Sequence, residues 1–164
     1  MRRPHNKNLF VAITTAALAV SLTACSGAGP NAATRLIKQV TDGAEINIDK
    51  NESKISVTNL LLVATEDGSA VVVGTIINRG TTKDSLAGIS VGNVPAALTG
   101  EVKLALNEPL RFEGEQATSK AVFDAAGAQA GTNIPLTLSF ERAGNVTANV
   151  IVRDQRDDYK NVTK

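Results

Sequence analysis

The 164-residue sequence has no tryptophan and only one cysteine, one methionine, one histidine and one tyrosine. Each shortage removes a class of function. A lone cysteine, Cys25, excludes a disulfide within the chain, so any fold must rest on its core. Aromatic residues make up 3% of the chain, too few for a platform on which bases or sugars stack. A formal net charge of +1 offers no basic excess for nucleic acid. The longest apolar run, residues 9–22, has 14 residues. A membrane-spanning helix needs ~20.

What is present begins with the surroundings of Cys25. Arg2, Arg3 and Lys7 precede the apolar run, and Leu22-Thr23-Ala24-Cys25 follows it. A basic start, a short apolar stretch and small residues at a cut site are the order of a secretory signal. Leu22, Thr23, Ala24 and Cys25 resemble a bacterial lipobox. There the cysteine thiol is alkylated by a diacylglyceryl group, and the chain is cut before the cysteine. Only cysteine supplies a nucleophilic thiolate that forms a stable thioether. One acyl chain holds a protein marginally; two or more hold it stably, at ~0.8 kcal/mol per buried methylene. The expected product starts at Cys25 and is lipid-anchored on the extracytoplasmic face of the cell membrane. A secreted protein cut elsewhere, with a free thiol, is the plainer alternative.

Removal of residues 1–24 takes away Met1 and His5, the only methionine and histidine. Soft and borderline metals then lack imidazole and thioether ligands. Nucleophilic triads of the Ser-His-Asp or Cys-His kind lack their base. Arg2, Arg3 and Lys7 also leave, so the 16 carboxylates slightly outnumber the remaining cations. No catalytic residue, metal ligand or cofactor is expected, and the chain does not read as an enzyme.

The rest divides into a lipidated N-terminus and tether (25–44), a β domain (45–152) and a charged tail (153–164). Ser26-Gly27-Ala28-Gly29-Pro30 has tether composition. Ile55 and Val57, then Leu60 and Leu62, alternate with other residues, and the parity slip at Asn59 predicts a bulge. Residues 70–78 are apolar on both faces, as in a centrally buried strand. Asn78-Arg79-Gly80-Thr81 predicts a turn. Weaker strand signals lie at 86–91, 101–106 and 121–123. Ile134, Leu136, Leu138 and Phe140 share one face, and after Arg142-Ala143-Gly144-Asn145 so do Val146, Ala148, Val150 and Val152. That pair is a hairpin over a core. Short strands and Gly-rich turns predict an all-β fold, an Ig-like sandwich or a Greek-key barrel. The tail after Val152 is expected to be loose.

Two stretches carry a family resemblance. Gly68-Ser69-Ala70 leading into Val73-Gly74-Thr75-Ile76-Ile77-Asn78-Arg79-Gly80 with Asp84-Ser85-Leu86, and Ile134-Pro135-Leu136-Thr137-Leu138-Ser139-Phe140-Glu141-Arg142-Ala143-Gly144, resemble the periplasmic copper-chaperone domain PCuAC. The resemblance implies a cupredoxin-like sandwich and copper carried by His and Met. Its ligand positions would fall near Leu98-Thr99-Gly100 and Ser119-Lys120-Ala121, where neither residue type occurs. A second resemblance, to the LpqE-like lipoproteins of actinobacteria, rests on Ile55-Ser56-Val57-Thr58-Asn59-Leu60-Leu61-Leu62, Leu86-Ala87-Gly88-Ile89-Ser90 and the final hairpin. It implies an accessory subunit of the cytochrome bcc–aa3 respiratory supercomplex, on the outer face of the membrane.

Asp67, Asp84, Glu113, Glu115 and Asp124 lie in or near expected turns and read as solvated charge rather than acid/base pairs. The functional expectation is therefore a non-catalytic, lipid-anchored binding module that meets a membrane protein complex. Its contact loops are guessed at 92–95 and 112–114. Residual copper handling is the alternative.

Overall fold

The computed structural model describes residues 41–50 and 52–164. The expected leader, Leu22, Thr23, Ala24 and Cys25, and most of the tether lie outside them. Among the described residues there is no α-helix; the chain runs through eleven strands. They are β1 (Ala44–Lys50), β2 (Ser53–Ala64), β3 (Ala70–Asn78), β4 (Asp84–Val91), β5 (Val94–Pro95) and β6 (Ala97–Gly100). Then come β7 (Lys103–Leu104), β8 (Pro109–Arg111), β9 (Ser119–Phe123), β10 (Asn133–Phe140) and β11 (Gly144–Asp154), before a 3-10 turn at Asp157–Tyr159. The hydrogen-bonded order is β5-β4-β10-β11-β2-β3-β9-β6, with β1 on β2, β7 on β4 and β8 on β3. This is an all-β sandwich, as the alternation predicts, of the cupredoxin-like kind that the resemblance implies. Its halves are continuous where β11 pairs parallel with β2, Val152 beside Leu62.

The faces sort as the sequence pattern requires. Leu136, Leu138, Phe140, Val150 and Val152 enter the main core with Ile55, Val57, Leu60, Leu62, Val72, Ile76, Phe112 and Phe123. β2 points Ile55 and Val57 inward, then Leu60 and Leu62, because its pairing with β3 shifts between Thr58 and Leu61. The extra residue of this bulge leaves Asn59 at φ +54. Asn59 Oδ1 accepts the Gly43 N–H at 3.0 Å.

Gly43 fits against the bulge only because it lacks a side chain. A Cβ there would sit 2.3 Å from the Asn59 carbonyl carbon and 2.6 Å from the Leu60 nitrogen. Those atoms are backbone and cannot swing away. Gly43→Ala is therefore expected to cost about 1–3 kcal/mol of overpacking. Hydrogen exchange should rise in β1 more than in β3; unchanged β1 protection would contradict this tight fit.

Two buried polar side chains close the turns. Asn78, fully buried, donates from Nδ2 to the carbonyls of Thr82 (2.8 Å) and Leu104 (3.2 Å). Its Oδ1 accepts the Gly80 N–H at 3.0 Å, which shapes the turn predicted at 78–81. Asp84, expected as a solvated loop charge, is instead 4% exposed. Its Oδ1 accepts the N–H groups of Ser85 (2.8 Å) and Arg142 (2.9 Å). Its Oδ2 accepts Ala143 N–H at 3.0 Å and Ser53 Oγ–H at 3.4 Å. Burial is tolerated because these donors replace water.

Elsewhere the structure departs from the expectation in three ways. The ladder begins at Ala44 and ends at Asp154, slightly wider than 45–152. Of residues 101–106 only Lys103–Leu104 is strand. The tail is not loose: Val162 is 6% exposed and packs with Leu61, Val63 and Val71.

Candidate functional site

The two segments where the resemblance would put metal ligands come together in space. β6 pairs antiparallel with β9, placing Leu98 opposite Ala121, Thr99 opposite Lys120 and Gly100 opposite Ser119. Gly100 has φ +86, and a Cβ there would lie 2.4 Å from the Thr118 carbonyl oxygen. A glycine is needed for this approach. Ser119 Oγ donates to the Glu101 carbonyl on the same edge. Thr99, Gly100, Glu113, Ala117, Thr118, Ser119 and Lys120 line a shallow cavity of about 320 Å³.

The charged groups of this cavity are Glu113 and Lys120, whose Oε1 and Nζ are 3.8 Å apart. Burial pushes the Glu113 carboxyl up from its ordinary range, and the Lys120 ammonium partly offsets this. Glu113 also borders a second cleft of about 400 Å³, with Val73, Glu115, Asp158, Tyr159 and Val162 among its walls.

The donors fit copper poorly. The cavity offers hydroxyl, carbonyl and carboxylate oxygens and an ammonium, whereas Cu(I) takes thiolate, thioether or imidazole. No His, Met or Cys occurs in residues 41–164. Among the described residues no three of His, Cys, Asp and Glu group as ligands for a metal. A fixed cation beside the carboxylate further disfavours a second cation there.

The remaining carboxylates fall in different surroundings. Asp67 accepts hydrogen bonds from Thr65 Oγ1 (2.6 Å), Ser69 Oγ (2.6 Å) and Ser69 N–H (3.1 Å). The Ser69 and Thr65 hydroxyls hold its carboxyl far below the usual range. Lys164 Nζ reaches Asp124 at 2.7 Å and Asp67 at 3.8 Å. Of the guessed contact loops, Val94 is exposed but Phe112 is a core residue, 1% exposed. Sequence reasoning placed Glu113 in a loop and missed its half-buried pairing with Lys120. The Glu113 and Lys120 charges flank the turn before β9, but nothing in their spacing announces the contact.

The fold that carries this edge is that of the PCuAC domain. The copper-bound PCuAC domain from PmoF2 superposes with a TM-score of 0.57 at 20% identity, covering 68% of this chain and 98% of that one. The apo PCuAC domain from PmoF1 gives 0.55 at 24% identity, over 68% and 99%. The apo PmoF2 PCuAC domain gives 0.57 at 18% identity, over 70% and 98%. No protein-family model and no curated protein matches the sequence.

Proposed function

We propose that this protein is a non-catalytic binding module held by lipid at Cys25 on the outer face of the cytoplasmic membrane. There it associates with a membrane protein complex. The lipid anchor rests on Leu22-Thr23-Ala24-Cys25, and the chemistry of the β6–β9 edge supports a role other than copper binding. A scaffold shared with copper-binding domains presents, at the paired segments 98–100 and 119–121, only oxygens and Lys120. Attachment to the membrane raises the local concentration near a membrane-bound partner. The LpqE-like resemblance proposes the cytochrome bcc–aa3 supercomplex as that partner. Crosslinking in intact membranes followed by gentle solubilisation is expected to recover a stoichiometric membrane complex. Recovery of the monomer alone would remove the proposal, as would an unacylated N-terminus by mass spectrometry.

Copper handling is the second reading, favoured by the copper-bound neighbour of the same fold. Competition against a Cu(I) chelator separates the two. The expected result is no binding at micromolar metal, because imidazole and sulfur donors are absent from residues 41–164. One tightly held copper per chain would favour the second reading over the first.

A further inference from the structure

Where residues 61–64 of β2 pair with residues 70–73 of β3 the sheet is apolar on both faces, and the two faces have different covers. The inner face meets the main core. The outer face carries Leu61, Val63 and Val71, each with no exposed surface, bordered by Val73, Val122 and Ile151. Val162 and Tyr159, from the segment after β11, are part of that second cluster. The segment's hydrogen bonds run largely within itself. Tyr159 N–H donates to the Arg156 carbonyl (2.9 Å), Lys160 N–H to Asp157 (3.3 Å) and Val162 N–H to Tyr159 (3.0 Å). Gln155 Nε2 donates to the Val162 carbonyl at 2.7 Å. Its far end is fastened by Lys164 to Asp124 and Asp67, three side chains that are each more than half exposed.

We propose that residues 155–164 form a releasable strap that opens as a unit and uncovers the outer apolar face of β2 and β3 while the sandwich stays folded. Three physical features of the segment lead there. The strap is ordered by its own hydrogen bonds, so it separates from the sheet without breaking a ladder. Its apolar hold on the sheet is one buried valine and one partly buried tyrosine, and its polar hold is side-chain contacts alone, Tyr159 to Arg153, Arg156 to Asp154 and Lys164 to Asp67 and Asp124, whereas β2 is a twelve-residue strand bonded on both sides. Segments with few buried apolar contacts open below the free energy of global unfolding. The Lys164 fastening is exposed and so weakens as salt shortens the reach of charge. Opening therefore responds to ionic strength, and to any charge brought near Asp67 and Asp124.

The test uses the full-length protein in two measurements. In hydrogen exchange, the amides of Tyr159, Lys160 and Val162 should exchange together, about a hundredfold faster than those of β2 and β3. Lys164→Glu, or raised salt on the unaltered chain, should speed them severalfold and leave β2 and β3 unchanged. In the second, Val71→Cys places a thiol beneath the strap, near-isosteric with the valine. Its labelling, located by peptide mass to separate it from Cys25, should outpace global unfolding and quicken with Lys164→Glu. Exchange of residues 159–162 at the β2–β3 rate would overturn the proposal. So would labelling of the Val71→Cys thiol only as fast as the whole domain unfolds.

Discussion

Asp84→Ala is expected to lower the stability of the domain by about 3 kcal/mol, since a buried donor stripped of its acceptor costs about 1–3 kcal/mol and a part-buried one less. The N–H groups of Ser85, Arg142 and Ala143 all point at this one carboxylate. Alanine removes the acceptor and supplies nothing in its place, and water has little access at 4% exposure. A domain of ordinary stability has about 5–15 kcal/mol in total, so the variant approaches its unfolding threshold. Asp84→Asn keeps one acceptor oxygen but turns an NH₂ toward the donors, and should lose roughly half as much. Urea denaturation measures both. The midpoint should fall with little change in slope, since the exposed surface on unfolding is the same. A loss below about 1 kcal/mol for the alanine variant would show that the carboxylate is dispensable.

The second large effect is expected at Phe123. It is fully buried in β9 and packs in the main core beside β3, where Ala70 is its register partner. Phe123→Ala should cost about 3–5 kcal/mol, the transfer term plus the cavity that remains. The position is sensitive because the core has no tryptophan and no disulfide to share the load. Phe123→Leu conserves most of the volume and should cost less than about 1.5 kcal/mol. Equal losses for the two variants would mean that the ring's volume is not what matters.

Asp84 also explains how the chain can share the fold of the PCuAC domain without histidine or methionine in residues 41–164. The two resembling stretches contain Asp84-Ser85-Leu86 and Glu141-Arg142-Ala143-Gly144. They are far apart in sequence, yet the carboxylate of the first binds the backbone of the second. Asn78, in the other half of the first stretch, shapes its own turn and reaches Leu104. These residues are latches of the sandwich. The two resembling stretches therefore report the requirements of the fold, and they carry no information about cargo.

Much of the sandwich is legible in the sequence because its long strands follow simple patterns. β10 and β11 alternate cleanly, and the slip at Asn59 marks the bulge in β2. The short strands are not legible. β5, β7 and β8 have two or three residues, too few for a period, and exist because neighbouring strands hold them. The tail misleads because it is mostly charged, yet Val162 and Tyr159 are the residues that count. The clue lies elsewhere, in residues 70–78: a strand apolar on both faces needs two covers, and the hairpin provides only one. The β6–β9 edge is located by resemblance alone. Glu113 joins it only in three dimensions, because the turn before β9 brings it to Lys120.

The parallel seam between β11 and β2 has a consequence for biogenesis. Val152 must find Leu62 across most of the domain's sequence, and such long-range closure is slow, on the order of milliseconds to seconds. Nearly the whole polypeptide must therefore be synthesised before the seam can zip. Until then the first strands wait, half-assembled, for the last.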